Sequence, residues 1–325
     1  MGARIVGTGS AIPAACLTNA HLESIVDTSD EWIVSRTGIR ERRVMKGGED
    51  IIDLMHEAST RALDDAALKA ADLDAIIVTT VSGDYAFPST ACLLQARLAV
   101  DDIPAFDVAA ACSGFVYGLS VAHSYMKSGE FRRILLVGAD ALSTMVNWRD
   151  RGTCVLFGDG AGAVVLCAEE EGHRGVLKTV VRASGSLWGL LHVRAGHRRA
   201  VDEERVSTEG WGIQMKGPEL FKVAVRSLSD VTQRALEEVG LSAADVSLII
   251  PHQANLRIIQ AVADRLGVGM DRVYCNLQRF GNTSAASVPM ALDEALRAGR
   301  IQAEDIIVLN ACGGGLTWGA AVVRW

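Results

Sequence analysis

A chain of 325 residues is long enough for two packed units or one large α/β body with an extensive core. Its net charge of −7 argues against general nucleic-acid binding, while leaving room for a local basic patch. Apolar residues make up 49% and aromatics only 5%, a mix suited to closely stacked helices and sheets. No uninterrupted apolar run reaches the roughly 18 residues of a membrane span, so none is expected. The opening Met1–Val6 has no basic region leading into an apolar run and no hydroxyl at position six, so neither a signal peptide nor myristoylation is expected. The cysteines (Cys16, Cys92, Cys112, Cys154, Cys167, Cys275 and Cys312) number seven and never form a CxxC pair. They read as mostly buried thiols of a reduced, cytoplasmic chain.

In chain order, the first strongly periodic segment is Arg61–Ile77, a helix, an Ala-Ala-Asp connection and the start of a strand over 76–81. A short strand at 106–110 follows, then a helix over 114–127 closed by Ser128-Gly129. Residues 133–138 (RILLVG) and 163–167 (AVVLC) read as buried strands. Gly158-Asp159-Gly160-Ala161-Gly162 resembles a dinucleotide fingerprint but leads into a β-branched run, not a helix, so a turn between strands is expected. The polar stretch 196–209 reads as an exposed loop. Beyond it, helices are expected over 219–240, 256–267 and 287–298, and strands over 248–251, 306–310 and 320–324. Arg234–Ile250 repeats Arg61–Ile77 with nine of 17 positions identical, at an offset of 173 residues. The predicted class is therefore α/β in two related halves, 1–170 and 171–325.

Three positions could carry chemistry. Cys112 lies where a strand ends in small residues and a helix begins. Unpaired N–H groups and the helix dipole there favour a thiolate; alone, Cys112 also reads as a packing cysteine. His252 directly follows the strand 248–251, at the strand end where α/β folds place function, or else it satisfies a backbone carbonyl. Asn282, in Phe280-Gly281-Asn282-Thr283-Ser284, is a catalyst or a turn former. No HExxH or clustered histidines indicate a metal site.

Taken together, the motifs make the chain resemble the thiolase-like condensing enzymes, specifically the β-ketoacyl-acyl-carrier-protein synthase III family. The likeness runs end to end, through Thr28–Ile33, Arg36–Arg42, the Cys112 segment, Phe157–Ala163, Pro251–Arg257, Gly281–Ser287 and Gly313–Gly319. It implies a five-layer αβαβα fold and a Cys-His-Asn set of Cys112, His252 and Asn282. It also implies an oxyanion hole from the N–H groups of Cys112 and Gly314. Coenzyme A contacts are implied at Trp32, Arg36, Arg151, Gly152 and Asn255, and an acyl pocket at Phe87, Leu156 and Cys312, with Phe87 reaching across a homodimer interface.

The implied reaction is a decarboxylating condensation of an acyl-CoA primer with malonyl-acyl-carrier protein, initiating type II fatty-acid synthesis without metal or redox cofactor. Neither nucleic acid nor membrane is an expected partner. The acidic carrier protein needs a basic face, for which Lys222 and Arg257 are the candidates; Arg226 and Arg265 read as ordinary solvated residues or as part of the same patch. Asp264 stands where the family often has a second Lys. Cys312 replaces a Phe found in some relatives, and Trp188 is unusually large, both hinting at an altered acyl or CoA channel; a short primer, acetyl or small branched, is expected. A secondary-metabolism relative would use the same triad on another acyl group. A non-catalytic chain-length factor would have lost the nucleophile that Cys112 retains.

Overall fold

Two mixed sheets organise the chain, whose computed structural model describes residues 2–169, 174–194 and 212–325. In the first sheet the strands lie in the order Gly2–Ala11, Asp159–Glu169, Arg133–Ala141, Ala75–Thr79 and Ala105–Val108. In the second the order is Gly175–Ala183, Thr317–Arg324, Ile306–Gly313 and Leu248–Pro251. From the same edge, each sheet makes two antiparallel pairings and then a parallel one. The 173-residue offset recurs element by element: Gly2 and Gly175, Ala75 and Leu248, Gly114 and Ser287, and Arg133 and Ile306 each open matching elements.

Helices Gly114–Ser128 and Ser287–Arg297 lie between the sheets and touch strands of both. Ile51–Asp65 and Thr90–Arg97 cover the outer face of the first sheet, and Gly217–Glu237 and Leu256–Leu266 that of the second. The result is a five-layer αβαβα stack, as the resemblance implied. A helix held between two sheets must be apolar on both sides, and Phe115, Val116, Leu119, Ala122 and Met126 are all fully buried. The central helix therefore anchors the turn that precedes it, which carries Cys112, in a rigid frame.

Several expectations are corrected. The strands Gly2–Ala11 and Gly175–Ala183 are absent from the sequence prediction. Gly7 and Gly9 explain the first omission: a Cβ there would stand 2.2 Å from Ala62 O and 2.3 Å from Ala58 O of the covering helix. Close helix packing demands glycine, and glycine erases the strand signal. The string Gly158–Gly162 is not a turn. From Asp159 it is already strand, paired on both sides with Gly2–Ala11 and Arg133–Ala141. The helix expected from Glu219 starts at Gly217, because Pro218 is tolerated in a first turn. Only Cys112, Cys154 and Cys312 are buried, whereas Cys16 and Cys92 are exposed on a short two-stranded sheet and a short surface helix. The loop expected over 196–209 lies outside the described residues. Among those described, no helix is long and apolar enough to cross a membrane.

Candidate active site

Strand Ala105–Val108 leads through Ala109 and Ala110 into a single tight turn, Ala111–Ser113, before the central helix begins at Gly114. Ala111 holds φ at +45°, a left-handed conformation that an alanine keeps only where the surroundings impose it. Ser113 Oγ pins the turn, donating to Ala110 O at 2.7 Å and contacting Thr317 Oγ1 at 2.8 Å. Gly313 closes over it: a Cβ there would stand 2.5 Å from Cys112 N and 2.9 Å from Ser113 N. Gly314, the expected oxyanion donor, lies beside Ala111, where its Cβ would be 3.8 Å from that of Ala111. Burial pushes the Cys112 thiol up to about 12, so the resting group is a thiol. Desolvation thus works against the thiolate that the helix N-terminus favours.

His252 follows the last residue of Leu248–Pro251, with its N–H donating to Asn310 O at 2.7 Å. Its Nδ1 lies 2.6 Å from Ser287 Oγ, and that oxygen accepts the Gln253 N–H at 3.4 Å. A serine hydrogen donated to Nδ1 gives the tautomer that carries its ring proton on Nε2. Burial lowers the imidazole to about 3, so it is neutral at physiological pH. Asn282 is held similarly. Its Oδ1 accepts the Ser284 N–H at 2.9 Å, and its backbone is tied to Leu156 O (2.8 Å) and Gly158 N (3.0 Å), leaving the Nδ2 donors for the cavity.

Cys112, His252 and Asn282 line one cavity of about 550 Å3, together with Cys312 and Gly313. Its wall is apolar, with Leu156, Leu191, Met215, Phe221, Leu228 and Ile258. Exposed Arg36, Lys222 and Arg257 stand at the mouth with Trp32, Gly152 and Asn255. The guanidiniums of Arg36 and Arg151 lie over the Trp32 ring, 5.0 and 5.3 Å from its centroid. Arg151 does not itself line the cavity; it reaches the mouth through that stacking. Asn255 caps the Leu256–Leu266 helix through Oδ1 and donates from Nδ2 to Arg36 O at 3.0 Å, binding two walls of the mouth together.

The sequence profile of 3-oxoacyl-[acyl-carrier-protein (ACP)] synthase III matches residues 106–185, and that of its C terminal matches 236–325. A β-ketoacyl-[acyl-carrier-protein] synthase III from Aquifex aeolicus (strain VF5) is 49% identical over 326 residues, covering 100% of both chains. The chain belongs to the β-ketoacyl-[acyl-carrier-protein] synthase III family. One from Xylella fastidiosa (strain Temecula1) is 51% identical over 327 residues, covering 99% of this chain and 98% of that one. The crystal structure of 3-oxoacyl-[acyl-carrier-protein] synthase III from Aquifex aeolicus VF5 superposes with a TM-score of 0.93 at 49% identity, covering 100% of each chain. As a synthase III the protein is a condensing acyltransferase.

One expectation falls away from this synthase III cavity. Trp188 does not line it; the ring is 60% exposed and lies edge-on to His192, 5.1 Å between centroids. Phe87, expected to act across an interface, is 85% exposed on the single chain, two residues from the 62% exposed Tyr85. Leu156 and Cys312 do reach the cavity, with Cys312 packed against Ala224, Leu228 and Val262.

Other residues that build the site escaped the sequence reading. Ser287 orients His252 and Ser284 touches Cys112, yet both sit in a small polar string that reads only as a turn. Gln253 ties the His252 strand end to the segment leading to Asn282, donating to Tyr274 O at 3.1 Å and accepting from Asn276 N at 2.9 Å. Fully buried Arg42 donates to Leu17 O, Asn19 Oδ1 and Val155 O at 3.1, 2.8 and 2.7 Å, fixing the cavity wall next to Asn282. Burial lowers its guanidinium to about 10, still a cation at neutral pH. Its Arg-Glu-Arg-Arg context was the available signal.

Proposed function

We propose that this synthase III condenses a short acyl-CoA primer, acetyl-CoA first, with malonyl-acyl-carrier protein through an acyl-Cys112 intermediate, initiating type II fatty-acid synthesis. The observation that carries the reading is polarity. Ser287 engages His252 Nδ1 and the Ser284 amide engages Asn282 Oδ1, so both residues turn hydrogen-bond donors toward the cavity that holds Cys112. Two such donors suit a thioester oxygen that becomes an enolate as CO2 leaves.

In this reading Cys112 Sγ attacks the primer's thioester carbonyl, the N–H groups of Cys112 and Gly314 receive the oxyanion, and coenzyme A departs. Malonyl-acyl-carrier protein then enters by the same mouth, and its carbanion attacks the acyl-cysteine to release the β-ketoacyl product. The thioester delocalises the developing charge, so the scheme draws on no metal or redox cofactor. Trp32, Arg36 and Arg151 form an aromatic and cationic platform suited to an adenine and its phosphates. Exposed Tyr85 and Phe87 fit a homodimer contact through which Phe87 enters the partner's acyl pocket, and the reduced cysteines fit a cytoplasmic setting. Mixing the protein with acetyl-CoA and malonyl-acyl-carrier protein is expected to release one CO2 per β-ketoacyl-carrier protein formed. Absence of that product would overturn the reading.

Two further outcomes follow. Arg226 and Arg265 both pair with Asp230, at 3.7 and 3.1 Å, whereas Arg257 and Lys222 form no ion pair among the described residues. Arg257→Glu is therefore expected to raise KM for malonyl-acyl-carrier protein about tenfold or more while sparing acetyl-CoA loading, because a charge reversal acts on the encounter with an acidic partner. Equal effects on both half-reactions would remove Arg257 from the docking face. In a competition among acyl-CoA lengths, acetyl and small branched primers are expected to win, and preference beyond about eight carbons would overturn the short-primer reading.

A further inference from the structure

His252 and Asn282 lie on separate segments, yet the condensation proposed above needs both donors on one substrate oxygen. A buried side chain next to His252 joins those segments. Gln253 is 1% exposed, and its carboxamide is fully engaged. Its Nε2 donates to Pro251 O at 2.7 Å and to Tyr274 O at 3.1 Å. Its Oε1 accepts from Asn276 N at 2.9 Å and from Leu277 N at 3.2 Å. Both amide hydrogens and both lone-pair directions of the oxygen are thus used. With carbonyls on one side and N–H groups on the other, the partners fix which way the amide points.

Resting on the condensation reading, we propose that Gln253 is a positioning residue that sets the spacing between His252 and Asn282. It governs condensation and leaves acyl loading on Cys112 largely alone. Leu277, gripped by Gln253 Oε1, opens the short helix Leu277–Phe280, and its carbonyl accepts the Gly281 N–H at 2.8 Å. Asn282 comes next in the chain. A single helical turn therefore converts a bond at Leu277 into a placement of the Asn282 side chain. The same segment is braced from behind. The Tyr274 hydroxyl donates to Glu294 Oε1 at 2.8 Å, and Asn276 Nδ2 donates to Glu294 Oε2 at 3.3 Å. Glu294 belongs to the helix Ser287–Arg297, whose first residue engages His252 Nδ1.

Gln253 itself does not line the cavity, whereas His252, Ala254 and Asn255 do, so its influence on the reaction runs through its neighbours. Burying a carboxamide costs free energy unless its donors and acceptors are met, and here they are met. An apolar side chain in its place would strand the Pro251 and Tyr274 carbonyls and the Asn276 and Leu277 amides. The segment leading to Asn282 would then be free to shift against His252. A displacement of about 1 Å in a positioned group can cost on the order of a hundredfold in rate. The Cys112 turn is pinned separately, by Ser113, Thr317 and the Gly313 backbone. Loading therefore does not depend on this clamp.

Gln253→Leu and Gln253→Glu test this in the full chain, with the two half-reactions measured separately. These are labelled acetyl transfer from acetyl-CoA to Cys112, and CO2 release per acyl-enzyme once loading is complete. Leucine removes every bond of the clamp. The isosteric glutamate keeps an acceptor for Asn276 and Leu277 but turns an oxygen toward the Pro251 and Tyr274 carbonyls. In both variants kcat for condensation is expected to fall roughly ten- to a hundredfold. Loading, and KM for malonyl-acyl-carrier protein, should stay within about threefold of the parent. Combining Gln253→Leu with Asn282→Ala separates positioning from a merely structural role. With the Asn282 side chain gone there is no spacing left to set, so Gln253→Leu should then cost less than about threefold further. If Gln253→Leu does not fold, Gln253→Glu decides in its place, alone and with Asn282→Ala. Parent-like condensation, equal loss in both half-reactions, or a full additional loss in the Asn282→Ala background overturns the proposal, as does failure of both variants to fold. A parent chain that takes label but releases no CO2 would instead overturn the condensation reading itself.

Discussion

Cys112→Ser is expected to take up no acetyl label in a peptide map after incubation with radiolabelled acetyl-CoA, and to condense at least about a thousandfold more slowly. The parent chain is expected to carry the label on the peptide containing Cys112 and on none of the other cysteines. Cys112, Cys154 and Cys312 are all buried, but only Cys112 stands at the head of the central helix, beneath the Gly313 backbone and beside Ser284. Cys312 shares the cavity and is the informative control: Cys312→Ala keeps an intact nucleophile and should retain the label. Serine is nearly isosteric but a far weaker nucleophile in a pocket that already resists ionisation. The thermal midpoint of Cys112→Ser should therefore remain close to that of the parent, separating lost chemistry from lost fold. Label on another cysteine, or on Cys112→Ser itself, would end the assignment.

His252→Ala is expected to lower condensation by roughly a hundred- to ten-thousandfold, while acetyl loading stays within about tenfold. In the proposed mechanism the imidazole serves the malonyl oxygen, so condensation should fall much further than loading. Its protonation also links to stability. The folded-state value of about 3 lies below the ordinary 6.5, as does that of His123, which burial lowers to about 4. For a depressed group, the unfolded chain binds the proton first. Stability is thus complete above pH 6.5 and declines as pH falls from there toward the folded value, by roughly 1 kcal/mol per pH unit for a single such histidine. Thermal midpoints are expected to drop between pH 7 and pH 5, and His252→Asn should flatten that slope. An unchanged slope would place the acid-sensitive proton elsewhere.

Much of this architecture was legible before any coordinates. The Arg61–Ile77 and Arg234–Ile250 repeat already carried the offset that the two sheets and the two central helices obey. Apolar periodicity located the Gly114–Ser128 helix and the strand before His252, because buried elements announce themselves in local pattern. The Gly2–Ala11 strand was hidden by the glycines that its covering helix requires.

At the site, the sequence by itself placed Cys112 and His252 at element ends and Asn282 in the loop before a helix, since those are properties of short segments, and its family resemblance implied the set. Only the tertiary structure decided how they are aimed. Ser287 meets His252 across 35 residues and Ser284 meets Cys112 across 172, and no local pattern encodes a contact of that span. Burial was likewise decided by the assembled layers: a helix N-terminus alone favours a thiolate, but sealing it between two sheets removes the water that would stabilise one and pushes the thiol up.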